Sequence, residues 1–315
     1  MELRQLEYLN ALAAERHFGR AAAACHVSQP ALSSSIRKLE RELGVTLVHR
    51  TRSFDSLTAE GEILLGWAQR VTSDVTALRD EANRLRGELT GTVRLGVVPT
   101  AMPAMALITE GLLNNNPGLG LTVRALPSQE IVRQLASHEL DGGISYLDDE
   151  PLGDVATFHL YDERYFLLAT AGGLGRHRRG IGWAELAELP LCLLTPDLQN
   201  RRIIDAALRS ADVSATPRVE ASDITGLLAF ARAGYACVVA HAWLALHGLP
   251  RGMRAVAIDT PMVTHSIGLV TLPLEPPPPF VRVLRTELPG AGVGVALTQA
   301  TAQWLSTRTG REAAT

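Results

Sequence analysis

The sequence has few cysteines, a single lysine and no long apolar run. Its three cysteines, Cys25, Cys192 and Cys237, are too few and too widely spaced for a disulfide framework or a zinc cluster. No apolar stretch approaches the ~20 residues that cross a bilayer, and the first residues lack the charged-then-apolar pattern of a secretion signal. We therefore expect a cytoplasmic protein without a membrane segment.

Signatures of catalysis are also missing. There is no nucleophile motif of the Gly-x-Ser-x-Gly type and no glycine-rich phosphate loop, and the nine histidines show no metal-ligand spacing. We therefore expect that the protein is not an enzyme and that it binds no metal and no cofactor. The formal net charge is −3, so any binding to nucleic acid must come from local positive charge. The first 52 positions supply such charge in Arg4, Arg16, Arg20, Arg37, Lys38, Arg41, Arg50 and Arg52.

Residues 18–44 carry the strongest pattern in the chain. The run Ala21 to Ala24 favours a thin helix, and Ser28 with Pro30 is typical of the start of a second one. Apolar residues with helical spacing then give that second helix a buried face, and they are Leu32, Ile36, Leu39 and Leu43. Gly44 suits its C-terminal cap. The pattern predicts a helix-turn-helix, which places its second helix in the DNA major groove.

An ordinary helical hairpin with a serine-rich exposed face is the alternative. The turn, the cap, the proline and the polar face all agree with the helix-turn-helix, so we favour DNA binding. We expect the DNA contacts to come from the second helix and the segment after it, through Gln29, Pro30, Ser33, Ser34, Arg37, Arg50 and Arg52.

Residues 61–90 indicate a long helix with an apolar seam. Residues spaced alternately by three and four form it, namely Ala68, Val71, Val75, Leu78, Ala82, Leu85 and Leu89. A surface helix packed on its own domain would show a similar stripe. Because a helix-turn-helix reads a two-fold site in pairs, we favour a dimerisation helix.

Beyond residue 91, strands and helices alternate, which predicts a parallel sheet with right-handed crossovers. A first unit holds strands at 92–98, 121–126 and 142–146. A strand at 164–170 begins a second unit, which also holds strands ending at Leu194 and Ala240, and a strand at 267–271 returns to the first. We expect Pro276 to Pro279 to form a turn, a last helix at 294–305 and a loose tail from Thr307.

The N-terminal residues resemble the LysR-type transcriptional regulators. The resemblance lies in Ser28-Gln29-Pro30-Ala31-Leu32-Ser33, in Leu43-Gly44 and in Leu57-Thr58-Ala59-Glu60-Gly61, although Val48 stands where the family usually has Phe. It implies an α/β fold with an all-α N-terminal part. The implied parts are a winged helix-turn-helix at 1–60, a linker and dimerisation helix at 61–90, a two-lobed periplasmic-binding-protein-like effector domain at 91–306, and a loose tail at 307–315. Lobe I would take about 91–162 and 267–306, and lobe II about 163–266.

The resemblance also implies a function. It predicts a regulator that binds double-stranded promoter DNA as a homodimer or homotetramer, contacts RNA polymerase and responds to a small-molecule effector. By the same resemblance the effector site lies between the lobes, where strand ends meet helix N-termini that favour anions such as a small carboxylate. The expected contacts are Pro99, Thr100, Ser128, Gln129, Tyr146, Thr195, Gln199, Asn200 and Thr264.

Simpler interpretations remain open for several of these residues. Thr100, Ser128 and Asp197 are also good helix caps, and Asp223 is expected to be only a cap. The segment 193–202 resembles the branch near cyanate and one-carbon-metabolism regulators, which points to formate or cyanate. Some family members sense peroxide through cysteines, but the apolar runs around Cys192 and Cys237 favour core packing. A transporter's solute-binding protein is a further alternative, but it would need an export signal.

Overall fold

In the computed structural model we describe residues 1–50, 54–86, 89–170, 172 and 180–312, with the backbone alone at 50, 54, 55 and 304–312. The chain divides into two compact units, Met1–Thr90 with Ala136–Glu139, and Gly91–Leu135 with Leu140–Thr315. Among the described residues, no helix is long and apolar enough to span a membrane.

The first unit is a helical domain with a short hairpin. Its elements are α1 (Leu3–Glu15), α2 (Phe18–Ala24), α3 (Gln29–Leu43), β1 (Val48–Arg50), β2 (Phe54–Leu57) and α4 (Ala59–Leu85). The predicted signals around α3 are confirmed. The Ser28 hydroxyl accepts from the Ala31 N–H, Pro30 lies in the first turn, and Gly44 ends the helix with φ 72°.

The core of this unit joins α1, α2, α3 and the start of α4. Leu9, Leu12, Leu32 and Ile36 are among its fully buried side chains. Gly61, in the first turn of α4, shows how close the packing is. A Cβ at this position would lie 2.1 Å from a backbone carbonyl oxygen of the chain before β1, so only glycine fits.

The second unit alternates strands and helices. Its elements are β3 (Gly91–Val97), α5 (Met105–Asn115), β4 (Leu119–Ala125), α6 (Ser128–Ala136), β5 (Gly142–Tyr146), β6 (Ala156–Thr170), β7 (Gly180–Gly182), β8 (Leu191–Leu194), α7 (Gln199–Ser210), β9 (Val219–Ala221), α8 (Ile224–Arg232), β10 (Ala236–Ala240), α9 (His241–His247), β11 (Met253–Thr260), β12 (Thr264–Thr271), α10 (Pro279–Glu287) and α11 (Val293–Glu312), with 3-10 turns at Met102–Ala104 and Trp183–Glu188.

Two lobes share one continuous sheet in this unit. The strand order is β4-β3-β5-β12-β6-β10-β8-β9, and β11 pairs with β6 and β7. The pairs within β4-β3-β5 and within β10-β8-β9 are parallel, whereas β6 and β12 run antiparallel to their neighbours. The N-terminal half of β6 pairs with β12 and its C-terminal half with β10 and β11, so the two strands join the lobes. The predicted α/β fold with an all-helical start is confirmed.

Several predicted boundaries differ from the structure. β6 begins at Ala156 rather than Arg164, because the alternating polar residues before 164 belong to the same strand. Pro279 opens α10 instead of ending a turn, since a proline needs no N–H partner in the first turn of a helix. α11 continues to Glu312, so the backbone of the expected loose tail is helical as far as it is described.

Candidate DNA interface and effector pocket

α3 buries one face and exposes the other. Leu32, Ile36 and Leu39 lie in the core, while the opposite face carries the predicted DNA contacts. On that face Gln29, Pro30, Ser34 and Arg37 are exposed and Ser33 is half-buried. The Arg37 guanidinium donates to the Ser33 hydroxyl at 3.2 Å, so these two side chains are held together on that face. Hydroxyl groups beside an arginine can hydrogen-bond to base edges and phosphates in a DNA groove.

An open groove lies beside the C-terminal half of α3. It is lined by Ser34, Arg37, Glu40, Arg41, Gly44, Val45 and Thr46. The Glu40 carboxylate accepts from the N–H groups of Leu47 and Val48 at 3.0 and 3.3 Å, which fixes the start of the hairpin against the helix. Arg50 lies in β1, where its backbone pairs with Phe54. Arg52 lies outside the described residues.

Most residues of the predicted apolar seam lie on the exposed face of α4, but Ala68 does not. Val71, Leu78, Ala82 and Leu85 are exposed and Val75 is half-buried. Ala68, which the spacing placed on the seam, is 2 % exposed and belongs to the core of its own unit, because this part of α4 packs on α1. Trp67 and Ile63 extend the exposed apolar face instead, at 61 % and 67 % exposed.

A small cavity lies in the second unit where the ends of β3, β5 and β8 meet the starts of α6 and α7. It is lined by Val98, Pro99, Thr100, Pro127, Ser128, Tyr146, Leu194, Leu198, Gln199 and Asn200, and we call it the effector pocket. Its volume of about 10 Å³ is close to the minimum that holds one water. Six predicted effector contacts meet here: Pro99, Thr100, Ser128, Tyr146, Gln199 and Asn200.

Three predicted contacts lie elsewhere. Gln129 and Thr264 are exposed and Thr195 is half-buried, and none of the three lines the pocket. The prediction for Asp223 is confirmed, because its carboxylate accepts from the Gly226 N–H at 2.8 Å as a helix cap. Thr100, by contrast, uses its hydroxyl for a side-chain bond inside the pocket.

The pocket is built on a buried hydrogen-bond network. The hydroxyls of Thr100 and Tyr146 are 2.9 Å apart, and the Asn200 amide donates to the same phenol at 3.2 Å. Tyr146 donates to the Glu163 carboxylate at 2.6 Å. The Gln199 amide donates to the Asp148 carbonyl at 3.2 Å, while its Oε1 has no partner among the described residues. An unpartnered buried oxygen can accept a hydrogen bond from a ligand that carries a donor.

Glu163 is a buried member of this network that the sequence did not single out. It is fully buried, and burial raises its pKa to about 7, although hydrogen-bonding hydroxyls from Tyr146 and Tyr165 act in the other direction. Its Oε2 makes no hydrogen bond with good geometry to any described residue. The available signal is the alternation in β6, since exposed Asp162 and Arg164 flank it and leave Glu163 facing inward.

An arginine from α7 lies next to Ser128, which lines the pocket. Arg202 binds the Glu150 carboxylate through two nitrogens, at 2.5 and 2.9 Å, and approaches the Ser128 hydroxyl at 3.4 Å. Arg201 is buried and pairs with Asp205 and Glu220. Both arginines near the start of α7 are therefore neutralised by carboxylates rather than directed at a ligand.

One group of side chains has the composition of a metal site. Asp148, Asp149 and His265 offer ligand atoms within 4.8 Å of one another. The His265 Nδ1 lies 3.3 Å from Asp148 and 2.5 Å from Asp149, so an imidazole held by two half-exposed carboxylates also accounts for the group. His265 of this group is the cross-strand neighbour of Glu163, so the group lies close to that carboxyl.

The cysteines lie apart from the pocket. Cys192 and Cys237 are fully buried and face each other on β8 and β10, and the Cys237 thiol donates to the Leu227 carbonyl at 3.2 Å. Burial raises the pKa of both thiols, and also that of Cys25 in the first unit. None of the chain's three cysteines, all of which lie in the described residues, lines the pocket.

Family comparisons cover both units. Residues 3–62 match the bacterial regulatory helix-turn-helix proteins of the lysR family, and residues 86–292 match the LysR substrate binding domain. The DNA-binding transcriptional dual regulator OxyR of Escherichia coli (strain K12) is 35% identical over 195 residues, which is 62% of this chain and 64% of that protein. A probable hydrogen peroxide-inducible genes activator of Streptomyces viridosporus is 39% identical over 196 residues, 61% of this chain and 62% of that protein.

Solved structures show the same fold over nearly the whole chain. Full-length OxyR from Pseudomonas aeruginosa, as a variant, has a TM-score of 0.77 at 27% identity and covers 94% of this chain and 97% of its own. CbnR complexed with its target DNA has a TM-score of 0.66 at 22% identity, with 92% and 100% covered, and shows the fold alone. The relatives from Escherichia coli and Pseudomonas aeruginosa are OxyR proteins, and the resemblance of segment 193–202 to the cyanate branch stays a prediction. Both units therefore belong to one family, and the chain is a member of the LysR family of bacterial transcriptional regulators.

Proposed function

We propose that this regulator binds promoter DNA through the polar face of α3 as a homodimer or homotetramer, and that a small effector in the effector pocket controls it. The observation that carries the proposal is the division of α3 into a buried apolar face and an exposed polar one with Arg37 bound to Ser33. A helix capped and packed in this way presents its N-terminal side chains to base edges.

The roles on DNA follow from side-chain chemistry. Gln29, Ser33 and Ser34 offer hydrogen-bonding groups to base edges in the groove. The Arg37 guanidinium can donate two hydrogen bonds at once to a guanine or a phosphate. Arg50 and Arg52 are proposed to hold phosphates from the hairpin. Pro30 sets the start of the helix rather than reading a base.

The proposed dimer forms along α4. Its seam comprises Val71, Val75, Leu78, Ala82 and Leu85, and Ala68 is left out because its own unit covers it. Pairing this face buries side chains that are otherwise exposed and supplies the second copy that a two-fold operator needs. A tetramer through the effector domains and a contact with RNA polymerase are proposed from family membership.

The proposed effector is a small anion. Thr100, Tyr146 and Asn200 bring neutral polar side chains to the pocket. α7 begins at Gln199 without a side-chain cap, and the positive end of its dipole favours an anion there. The cavity has room for about one water, so it must widen to take even an anion of three heavy atoms and would have to rearrange far more for an aromatic acid. We propose the class represented by formate or cyanate.

Peroxide sensing is the competing function, because the Streptomyces viridosporus relative is a probable hydrogen peroxide-inducible genes activator. A thiol reacts with peroxide as its thiolate, so it must be accessible and have a low pKa. Cys192 and Cys237 are buried, and burial raises the pKa of each thiol. We therefore propose reversible binding of the effector rather than thiol oxidation.

Fluorescence anisotropy with the promoter fragment beside the chain's own gene tests the DNA-binding role. We expect affinity to fall linearly with salt on logarithmic axes, and Gln29→Ala to weaken it by about 1–3 kcal/mol. Arg37→Ala should weaken binding and reduce the salt slope, whereas Arg232→Ala, which removes an exposed arginine from α8, is the charge-matched control. Equal affinities for all four proteins would contradict the assignment of α3.

A further inference from the structure

Three buried groups form a continuous hydrogen-bond chain that leads from the effector pocket into the interior. It runs from the Thr100 hydroxyl, which lines the pocket, through the Tyr146 hydroxyl at 2.9 Å to the Glu163 carboxyl at a further 2.6 Å. All three side chains are at least nine-tenths buried. A phenol can donate one hydrogen bond and accept two, so the direction of this chain is set at its inner end.

With Glu163 ionised, every donor points inward. The carboxylate can only accept, so Tyr146 donates to it and must accept from both Thr100 and Asn200. Thr100 then has no proton left for the pocket. The pocket presents the lone pairs of Thr100 together with the unpartnered Oε1 of Gln199, and both repel an anion.

With Glu163 protonated, the direction reverses. The carboxyl donates to Tyr146, Tyr146 donates to Thr100, and Thr100 donates into the pocket, where an anion can accept. Asn200 keeps its bond to the phenol in both states, since the phenol has two acceptor positions.

We propose that the effector pocket binds a small monoanion together with one proton, which Glu163 takes up from solvent as the Glu163–Tyr146–Thr100 chain reverses. The inference rests on the proposed effector site and adds to it the uptake of one proton and the residue that takes it up. In this binding reaction one anion and one proton combine with the protein whose Glu163 is ionised, and the product is the bound anion beside a neutral Glu163. Two negative charges never occupy the site together.

Burial and the Asp148 carboxylate raise the pKa of Glu163 and favour its neutral form, whereas the hydroxyls of Tyr146 and Tyr165 act in the other direction. Tyr146 and Asp148 face it from β5 and the loop that follows, and His265 is its cross-strand neighbour on β12. Tyr161 and Tyr165 flank it on β6, with His241 of α9 behind Tyr161. None of these is an arginine or lysine. His265 is held by the two aspartates, and burial lowers the pKa of His241 to about 4, which leaves that imidazole neutral.

The coupling predicts a definite pH dependence. Since Glu163 titrates near pH 7 in the free protein, an anion should bind with constant affinity at lower pH and lose about tenfold for each pH unit above it. Between about pH 6 and pH 8 the dissociation constant should rise roughly tenfold. A neutral ligand should show no such loss.

Calorimetric titration of the full chain with sodium formate tests this, using formamide as the neutral control of similar size and sodium chloride to match ionic strength. Titrations in buffers of different ionisation enthalpy give the number of protons taken up. We expect roughly 0.1 proton per site near pH 6 and roughly 0.9 near pH 8 for formate, and none for formamide. Glu163→Gln should abolish the uptake and bind formate equally at both pH values, while Thr100→Val should weaken formate at both.

These titrations distinguish a failure of the proton coupling from a failure of the proposed effector site. Formate that binds without proton uptake, and is weakened by Thr100→Val, overturns the coupling and leaves the pocket intact. Formate binding that Thr100→Val does not weaken overturns the pocket as well. Absence of formate binding, or formamide that binds more tightly as the pH rises, overturns the choice of a monoanion. If Glu163→Gln does not fold, the infrared band of a protonated carboxyl appearing when formate is added to the wild type near pH 8 supports the inference, and its absence refutes it.

Discussion

Replacing Glu163 by glutamine should change how the stability of the second unit depends on pH. The wild-type carboxyl is fully buried beside Tyr146, and its pKa rises from an ordinary 4.5 to about 7 because burial penalises the charged form. A pKa that is higher in the folded state stabilises the fold when the group is protonated in both states. That stabilisation is fully present below about pH 4.5 and is lost as the pH rises through about 7.

The magnitude follows from the two pKa values. Their difference of about 2.5 corresponds to roughly 3 kcal/mol at 1.36 kcal/mol per pKa unit. Between about pH 5 and pH 8 the wild type should lose about 2.5 kcal/mol through this group alone. Glutamine has nearly the same shape and no charge, so the variant should lose none of it.

Urea denaturation near pH 5 and pH 8 measures this effect. Tryptophan fluorescence is a suitable signal, because Trp183 and Trp243 are buried in the same unit as Glu163. Glu110→Gln removes an exposed carboxyl from α5 and is the matched control. Comparing each variant with the wild type cancels all other titrating groups. A difference between the two pH values below about 0.5 kcal/mol would show that Glu163 is not desolvated in the folded state and would refute the reasoning.

Three further predictions concern other parts of the chain. Val75→Asp with Leu78→Asp places charge in the proposed seam of α4 and should dissociate the assembly in light scattering, and an unchanged mass would contradict the seam. Cys192 and Cys237 should resist a thiol reagent until the protein unfolds, and peroxide should leave operator affinity unchanged; fast modification in the native state would revive the redox function. Gly61→Ala should lower the free energy of unfolding by more than about 2 kcal/mol in chemical denaturation, because its Cβ would meet a backbone oxygen, and a neutral effect would contradict that packing.

The helix-turn-helix could be predicted from sequence because its signals are local. Ser28, Pro30 and Gly44 each act within one turn of the helix that they begin or end. The pocket residues Thr100 and Gln199 could be predicted for a similar reason, since both lie at junctions from strand to helix where ligands commonly bind.

Other features depend on contacts between distant parts of the chain. Glu163 is buried because β12 pairs with β6, although about a hundred residues of sequence separate the paired positions. Arg202 likewise pairs with Glu150, which lies in the other lobe. Ala68 shows a different limit. Helical spacing identifies an apolar stripe, but it does not say whether that stripe packs on its own domain or on a second copy.

Selection of duplexes from a randomised pool tests the central claim that α3 reads operator DNA as part of a symmetric assembly. The wild type should enrich one sequence with two half-sites related by two-fold symmetry. Gln29→Ala should enrich a sequence with relaxed preference at one position in each half-site. Enrichment of no sequence by the wild type, or the same sequence with the same affinity from Gln29→Ala, Ser33→Ala and Arg37→Ala, would contradict the account.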